Sequence, residues 1–504
     1  MMYGYGLQTW EYSAEFALRS WWYLLLHALA GAPVVSLVDA RKGKLAVFFA
    51  IRVVFAIIST LTEWWLYKAV KSRYSATIST SFLFFLTFSS GMFAASAAFL
   101  PSSFTMYALT AAAAGVLQGR VHTVIFIAVI GVIWGWCVAG VAFLPYALWV
   151  LFATAATATL LSSIAMLVFS TAFTLAPLVI ADRIAYGNWK ASLWNFLVYN
   201  VAGGGQSSLY GVEGPAYYFR NGFNQLQFVL PLALVSPLAY VLSRPTRART
   251  STSSAAQSTV DGRLATAISP FFAWLAAITA LPHKEERFLY VVYPLACLAA
   301  AVSLDALVLQ KARAWGGAVA PTLAKLLVFL TVTGTCALSV SRTLALVTHY
   351  GAPTTVYSSL PIVATTTHTV NVCVAAEWYR FPSAFFLPGP NYRLRFLKSG
   401  FDGLLPREFD EAVGGTRASP GELNDQNREE PANYWRGGCH FLVTLEGEGV
   451  GLNESGWEVV KEVKFLDAGA SPAVSRAFYF PQGEKKNRWL KYYLLRNTTQ
   501  PHVM

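Results

Sequence analysis

Two apolar runs limit what this chain can become: Ala265 to Pro282 and Leu289 to Leu309 are each long enough to cross a bilayer as a helix. Hydrocarbon offers no partner to a backbone N–H or C=O, so segments of this kind cross as helices that satisfy their own hydrogen bonds. Similar runs occur at Trp21–Val38, Leu45–Leu66, Ile78–Phe99, Phe104–Leu117, His122–Leu144, Ala147–Pro177, Gln225–Leu242 and Leu323–Val347. By the ~20-residue criterion the expected fold is a polytopic α-helical membrane protein of about ten spans, with Phe104–Leu117 short enough to be re-entrant. Composition agrees, because 13% of residues are charged where soluble domains carry about 25%.

Between the first two runs lie His283-Lys284-Glu285-Glu286-Arg287-Phe288, with five ionisable residues in succession. Charges this close to hydrocarbon are expensive and commonly mark a site; the plainer reading is a short interhelical loop facing water. The net charge of +12 raises nucleic acid as a partner. No soluble basic domain or aromatic-basic motif supports that, so the expected partner is the lipid bilayer, with excess Lys and Arg in cytosolic loops. Arg41-Lys42-Gly43-Lys44 reads as such a loop, as do Ser243–Arg263 (with Arg244, Arg247, Arg249 and Arg263) and Gln310-Lys311-Ala312-Arg313. Alternation then puts His283–Arg287, and everything after His349, on the luminal side. Lys68, Lys71 and Arg73 stand against this count, which places them in the lumen as an interfacial helix. Ala14–Ser20 reads as a helix at the membrane surface.

After Pro353 charged residues, Gly and Pro increase and apolar runs shorten to strand length, as in His440–Leu445, Ala477–Phe480 and Trp489–Leu495. The expected division is a multi-span domain over 1–350 and a mixed α/β luminal domain over 351–504. Cys137, Cys297 and Cys336 fall in apolar runs and read as buried thiols. Cys373 and Cys439 lie in the polar part, where an oxidising lumen permits a disulfide but sequence does not fix one. Asn453 and Asn497 begin glycosylation sequons. No Cys/His spacing suggests zinc.

HKEERF directly after a transmembrane helix resembles the signature of glycosyltransferase family 22. The likeness extends over most of the chain: Gly6-Leu7-Gln8-Thr9-Trp10-Glu11-Tyr12-Ser13, Phe99 to Tyr107, Asp182 with Tyr186-Gly187, and Leu209-Tyr210-Gly211-Val212-Glu213. Glu377 to Ser383, Leu423 to Asn427, Cys439 to Val443 and Arg476 to Tyr479 narrow it to the α-1,2-transferring branch of N-glycan assembly. The resemblance implies a GT-C fold in the endoplasmic reticulum membrane. It implies transfer of mannose from dolichyl-phosphate mannose, with inversion, to dolichyl-diphosphate-linked oligosaccharide at its six- and eight-mannose stages. Neither metal nor cofactor is expected. The GPI-anchor mannosyltransferases share HKEERF without these C-terminal matches. A transporter is disfavoured because no inverted repeat appears.

Such a transfer needs a carboxylate to accept the acceptor-hydroxyl proton and cations to hold the departing phosphate. His283, Lys284 and Arg287 are the phosphate candidates, Arg287 foremost because its fork matches phosphate oxygens. Glu285 and Glu286 would orient them or brace the loop. Trp10, Tyr210 and Glu213 are the sugar candidates, with loop packing as the plainer role. Family members carry a transmembrane helix and an acidic luminal motif, source of the presumed base, before the segment matching Gln8–Tyr12. In that place this sequence reads Met1-Met2-Tyr3-Gly4-Tyr5. The expectation is an N-terminally incomplete transferase; a catalytically inactive scaffold paralogue, or a base relocated to Glu11, are the alternatives. Trp136-Cys137 also stands where the family has Trp-Pro.

Overall fold

The computed structural model describes residues 6–37, 44–157, 159–202, 209–243, 261–310, 319–362, 368–376, 380, 383–412, 414–448 and 456–500. Asn453, Arg41 to Gly43, most of the 243–263 loop, and 377–379, 381 and 382 of the C-terminal motif lie outside them. The helices are α1 (Trp21–Leu37), α2 (Lys44–Lys71), α3 (Ala76–Phe88), α4 (Ser90–Ser96), α5 (Pro101–Gln118), α6 (Val121–Ile130), α7 (Gly140–Thr157) and α8 (Leu160–Tyr186). They continue with α9 (Ser192–Leu197), α10 (Tyr217–Leu226), α11 (Val229–Leu234), α12 (Ser236–Ser243), α13 (Gly262–Ala280), α14 (Tyr293–Leu304) and α15 (Val319–Tyr350). Strands are β1 (Leu7–Gln8), β2 (Val370–Val374), β3 (Tyr392–Phe396), β4 (Arg407–Glu408), β5 (Phe441–Leu445), β6 (Trp457–Leu466) and β7 (Trp489–Asn497).

Among the described residues six helices are long and apolar enough to span a membrane, or seven if α3 and α4, bent by 65°, count as one. The larger expected number came from hydropathy that runs across breaks. His122–Leu144 is divided where α6 widens into a π turn at Gly131–Gly135 and Trp136 turns extended (φ −123°, ψ 105°). Gln225–Leu242 is cut at Gln227, whose φ of 44° ends α10. Ala147–Pro177 belongs to both α7 and α8, and Trp21–Val38 is described as far as Leu37, all of it in α1. No helix forms at Ala14–Ser20, where a 3-10 turn (Trp10–Tyr12) leads into loop. Ala477–Phe480 is the end of a helical turn followed by loop, not a strand.

Two compact units make up the chain: Met1–Ile51, Val179–Leu209 and Leu344–Met504 form one, Arg52–Leu178 and Tyr210–Thr343 the other. The first is not a bare 351–504 domain because N-terminal and mid-chain segments are woven into it. β1 pairs antiparallel with β4, the Gln8 side chain donates to Ala418 O at 3.3 Å, and Thr416 Oγ1 donates to Ala185 O at 2.6 Å. Its main sheet has the order β3-β2-β5-β7-β6, with β2 parallel to both neighbours and the β5–β7 and β7–β6 pairs antiparallel. Cys373 on β2 and Cys439 just before β5 form a disulfide with Cα atoms 5.8 Å apart.

α1 is among the shorter apolar helices, with 17 described residues. The Trp21 ring meets Phe409 at 6.2 Å, and Lys44, where α2 begins, lies 5.4 Å over Phe385, while Phe48 packs on Phe386 at 5.1 Å. Both ends of the connection therefore touch the 351–504 segment. In the second unit the far end of α2 and the residues after it meet the start of α13 and the ends of α14 and α5. Tyr74 donates to Asp261 Oδ1 at 2.7 Å, Ser75 to Asp305 Oδ1 at 3.0 Å, and Trp65 to Gln118 Oε1 at 3.2 Å. Asp261 caps α13 by accepting from Leu264 N at 2.9 Å. Lys68, Lys71 and Arg73 thus share an end of the bundle with Asp261, Arg263 and Asp305.

Every residue of α14 is buried, many of them Ala, and it forms the bundle's centre with α3, α5, α11 and α13 around it. Small side chains allow this close approach. A Cβ at Gly115 of α5 would stand 2.8 Å from Val124 Cγ2.

Candidate active site

HKEERF follows α13 at the end opposite Asp261, roughly 28 Å away at 1.5 Å rise per residue over a helix of 19 residues. It leads through a 3-10 turn, Glu286–Val292, into α14. Glu285 is extended (φ −128°, ψ 149°), so adjacent side chains diverge and alternate ones share a side.

The odd-numbered residues form one cluster. His283 Nε2 lies 3.2 Å from Glu285 Oε1, and Arg287 Nη2 donates to that same oxygen at 2.5 Å. The other imidazole nitrogen, Nδ1, is 3.0 Å from the carbonyl oxygen of Gly211. Both ring nitrogens face acceptors, and imidazole donates from both only as the cation. Accordingly the Glu285 hydrogen bond pushes His283 above the ordinary histidine value, outweighing burial. Burial works to raise the Glu285 carboxyl, but the His283 hydrogen bond and the Arg287 charge together hold it below the usual carboxylate range. When His283 is protonated two cations share one carboxylate, and the Arg287 side chain remains 45% exposed. An oxyanion approaching from that side meets a net positive charge with a guanidinium fork in front.

The even-numbered residues point inward. Lys284 is buried, its ammonium donating to Glu213 O at 2.9 Å and also to Leu281 O. Glu286 accepts from Gln225 Nε2 at 2.6 Å, with Tyr290 and Arg342 acting on the same carboxylate. Phe288 closes the segment: its carbonyl accepts from Trp274 Nε1 at 2.7 Å, and its ring meets Trp136 at 4.9 Å. The break that divides the His122–Leu144 run therefore delivers Trp136 to this site.

Tyr210 and Glu213 join the cluster from the chain before α10. Tyr210 stands edge-on to His283 at 6.2 Å, and the Glu213 carboxylate is 3.9 Å from Arg220. Trp10 and Glu11 belong to the other unit. There Trp10 packs on Phe16 and Tyr199 at 5.4 and 5.2 Å. Glu11 Oε1 accepts from Arg19 Nε at 3.2 Å and Nη2 at 3.0 Å. In the same unit Asp182 accepts from Trp21 N at 2.8 Å, Ser20 Oγ at 2.9 Å and Ser192 Oγ at 2.5 Å, so it caps α1 and fastens α8 to it. Asn497 donates its amide nitrogen, the atom a glycan would take, to Cys439 O at 3.1 Å.

Gln225 and Gln227 were missed at the level of sequence, although glutamine inside an apolar run is itself a signal. Gln225 holds Glu286, and Gln227 Oε1 accepts from Ser339 on α15 at 2.5 Å.

Residues 1–388 match the model of the Alg9-like mannosyltransferase family. The Arabidopsis thaliana protein named Alpha-1,2-mannosyltransferase ALG9 is 35% identical, over 98% of this chain and 85% of its own. Its Homo sapiens namesake is 36% identical over 95% of this chain and 80% of its own, and that of Saccharomyces cerevisiae 31% over 95% and 85%. Among solved structures, ArnT from Cupriavidus metallidurans in the apo state aligns with 77% of each chain at 13% identity and a TM-score of 0.44.

Proposed function

The chain belongs to the Alg9-like mannosyltransferase family, and from that premise we propose that it transfers mannose from dolichyl-phosphate mannose, in α-1,2 linkage, to dolichyl-diphosphate-linked oligosaccharide during N-glycan precursor assembly. It is a multi-pass membrane glycosyltransferase. The observation that carries the donor assignment is the His283–Glu285–Arg287 cluster, a net-positive, half-open group at one end of the helical bundle.

The bond formed joins an acceptor mannose hydroxyl oxygen to C1 of the donor mannose. The bond broken joins that C1 to the phosphate oxygen, and the negative charge leaves with dolichyl phosphate. Arg287 and the His283 imidazolium stabilise that charge as it develops. The acceptor proton goes to a carboxylate. At Glu11, proton transfer would compete with the Arg19 ion pair. The six- and eight-mannose intermediates are the proposed acceptors, and the reaction draws on no metal or organic cofactor.

We assign the enzyme to the endoplasmic reticulum membrane, with the 351–504 segment and HKEERF facing the lumen. The gathering of Lys68, Lys71, Arg73 and Arg263 at the bundle end opposite HKEERF supports this, since cytosolic ends are rich in Lys and Arg. The test is lipid-linked oligosaccharide profiling in cells that lack their own enzyme for these steps and express this chain. Restored full-length oligosaccharide supports the assignment. Persistent accumulation of the six-mannose intermediate, with the protein expressed and inserted, overturns it.

A further inference from the structure

Lys284 and His283 both spend hydrogen bonds on one short stretch of backbone. Lys284 Nζ donates to Glu213 O at 2.9 Å, the His283 ring meets Gly211 O at 3.0 Å, and Glu213 N donates to Pro282 O at 3.0 Å. Three bonds thus lay residues 211–213 along residues 282–284 as a strap. Gly211 has φ +97°, a conformation glycine adopts without strain. The outer side of the strap is open, with Tyr210 41% and Val212 65% exposed. It presents an aromatic ring, the Glu213 carboxylate and, 3.9 Å from it, the Arg220 guanidinium.

The Lys284 ammonium is enclosed, and both its partners are carbonyl oxygens. It has no approach for a phosphate, in contrast with half-exposed Arg287. A flat ring beside a carboxylate and a guanidinium suits the apolar face and hydroxyls of a sugar.

We propose that Lys284 is a positioning residue: it fastens the Tyr210–Glu213 strap, and through it fixes the surface that receives the saccharide of the acceptor. The inference rests on the mannosyltransferase reading and divides the charged motif between two substrates. Arg287 and His283 serve the donor phosphate; Lys284 serves the acceptor sugar without touching it.

The test is steady-state kinetics of the full chain in lipid nanodiscs, with dolichyl-phosphate mannose and six-mannose lipid-linked oligosaccharide varied separately. Lys284→Met should raise the acceptor KM roughly tenfold, the scale of one lost hydrogen bond from a charged group, and leave the donor KM unchanged. Lys284→Arg should recover part of the loss. Tyr210→Ala should raise the acceptor KM as well, and the double variant should be no worse than the poorer single one. A rise in the donor KM instead would return Lys284 to the phosphate and overturn the proposal. Unchanged KM values with less active enzyme would also overturn it, reducing Lys284 to a support of the fold.

A second measurement needs no turnover. Val212→Cys should react faster with a water-soluble maleimide when Lys284 is Met than when it is Lys; equal rates would refute the fastening. If the unaltered chain transfers no mannose while the labelling rates differ, the fastening stands and the mannosyltransferase reading fails.

Discussion

Cys373 and Cys439 join two neighbouring strands of the sheet across a sequence separation of 66. Closing a loop of that size removes unfolded-state entropy equivalent to about 4 kcal/mol at 25 °C. Replacing both with alanine should therefore raise the open population of the sheet-bearing segment about a thousandfold, at 1.4 kcal/mol per factor of ten. Both sulfurs are embedded, with Leu442, Tyr493 and Leu495 packed around them, so smaller side chains add a cavity cost in the same direction. The assay is native-state proteolysis of the full chain in nanodiscs, followed by cleavage within 351–504. When reclosing outpaces cleavage, that rate reports the open population. The same pair reports on the compartment, because disulfides persist in the lumen and are kept reduced in the cytosol. Alkylation of intact cells with a permeant maleimide, before and after reduction, should reveal two additional reactive thiols only after reduction. A cleavage rate unchanged within threefold would refute the loop-closure argument. Two thiols reactive without reductant would refute the luminal placement of the segment.

Arg287→Lys keeps the charge and loses the planar fork, so donor kcat/KM should fall roughly 10- to 100-fold, the scale of a charged hydrogen bond; a donor titration showing no change would remove Arg287 from the phosphate. The pH dependence has a definite sign. His283 is raised and Glu285 lowered by their mutual contact, so that contact is lost when pH climbs through the His283 value or falls through the Glu285 value. Donor kcat/KM should hold between these limits, and Glu285→Gln should move the alkaline fall to lower pH; an unmoved profile would contradict the shared-carboxylate geometry. Gly91 is packed so that a Cβ would meet Tyr293 Cε2 at 2.8 Å and Gln225 Cβ at 3.1 Å. Gly91→Ala should cost about 1–3 kcal/mol by overpacking, measured as a lower thermal midpoint in nanodiscs, and unchanged stability would show that α4 yields.

Helix existence was legible in the sequence, while helix continuity was not. The runs that became α2, α13 and α14 are predominantly apolar, with charges as sparse as Arg52 and Glu63 in the first and Asp305 near the end of the last. The runs that broke contain residues whose conformation depends on tertiary partners. Trp136 leaves helical geometry where Thr105 Oγ1 takes its N–H at 2.9 Å and Trp274 and Phe288 take its ring. Hydropathy averages across such a point. Local partners of this kind also lie beyond hydropathy: the Lys44 ammonium stands 5.4 Å over the Phe385 ring of the sheet-bearing unit.

The charged motif shows why contiguity in sequence misleads about a site. Read as a string, His283 to Arg287 are five equivalent ionisable groups, and electrostatics alone assigns three cations to one phosphate. Extended geometry at Glu285 gives the segment a period of two, which sends Lys284 and Glu286 into the protein and leaves His283, Glu285 and Arg287 together. The inward pair is affordable because each member finds partners in the bundle: two carbonyls for the lysine, Gln225 for the glutamate. An unpaired charge in that position would be too costly to bury. With His283 protonated, the outward triplet keeps one net positive charge because Glu285 neutralises only one of its two neighbours. That carboxylate also holds both cations in fixed positions before any substrate arrives, so less reorganisation remains when phosphate charge develops. Glu285→Ala should thus impair transfer even though it increases the positive charge of the site. If it instead improved donor kcat/KM, net charge rather than preorganisation would be the governing property of the cluster.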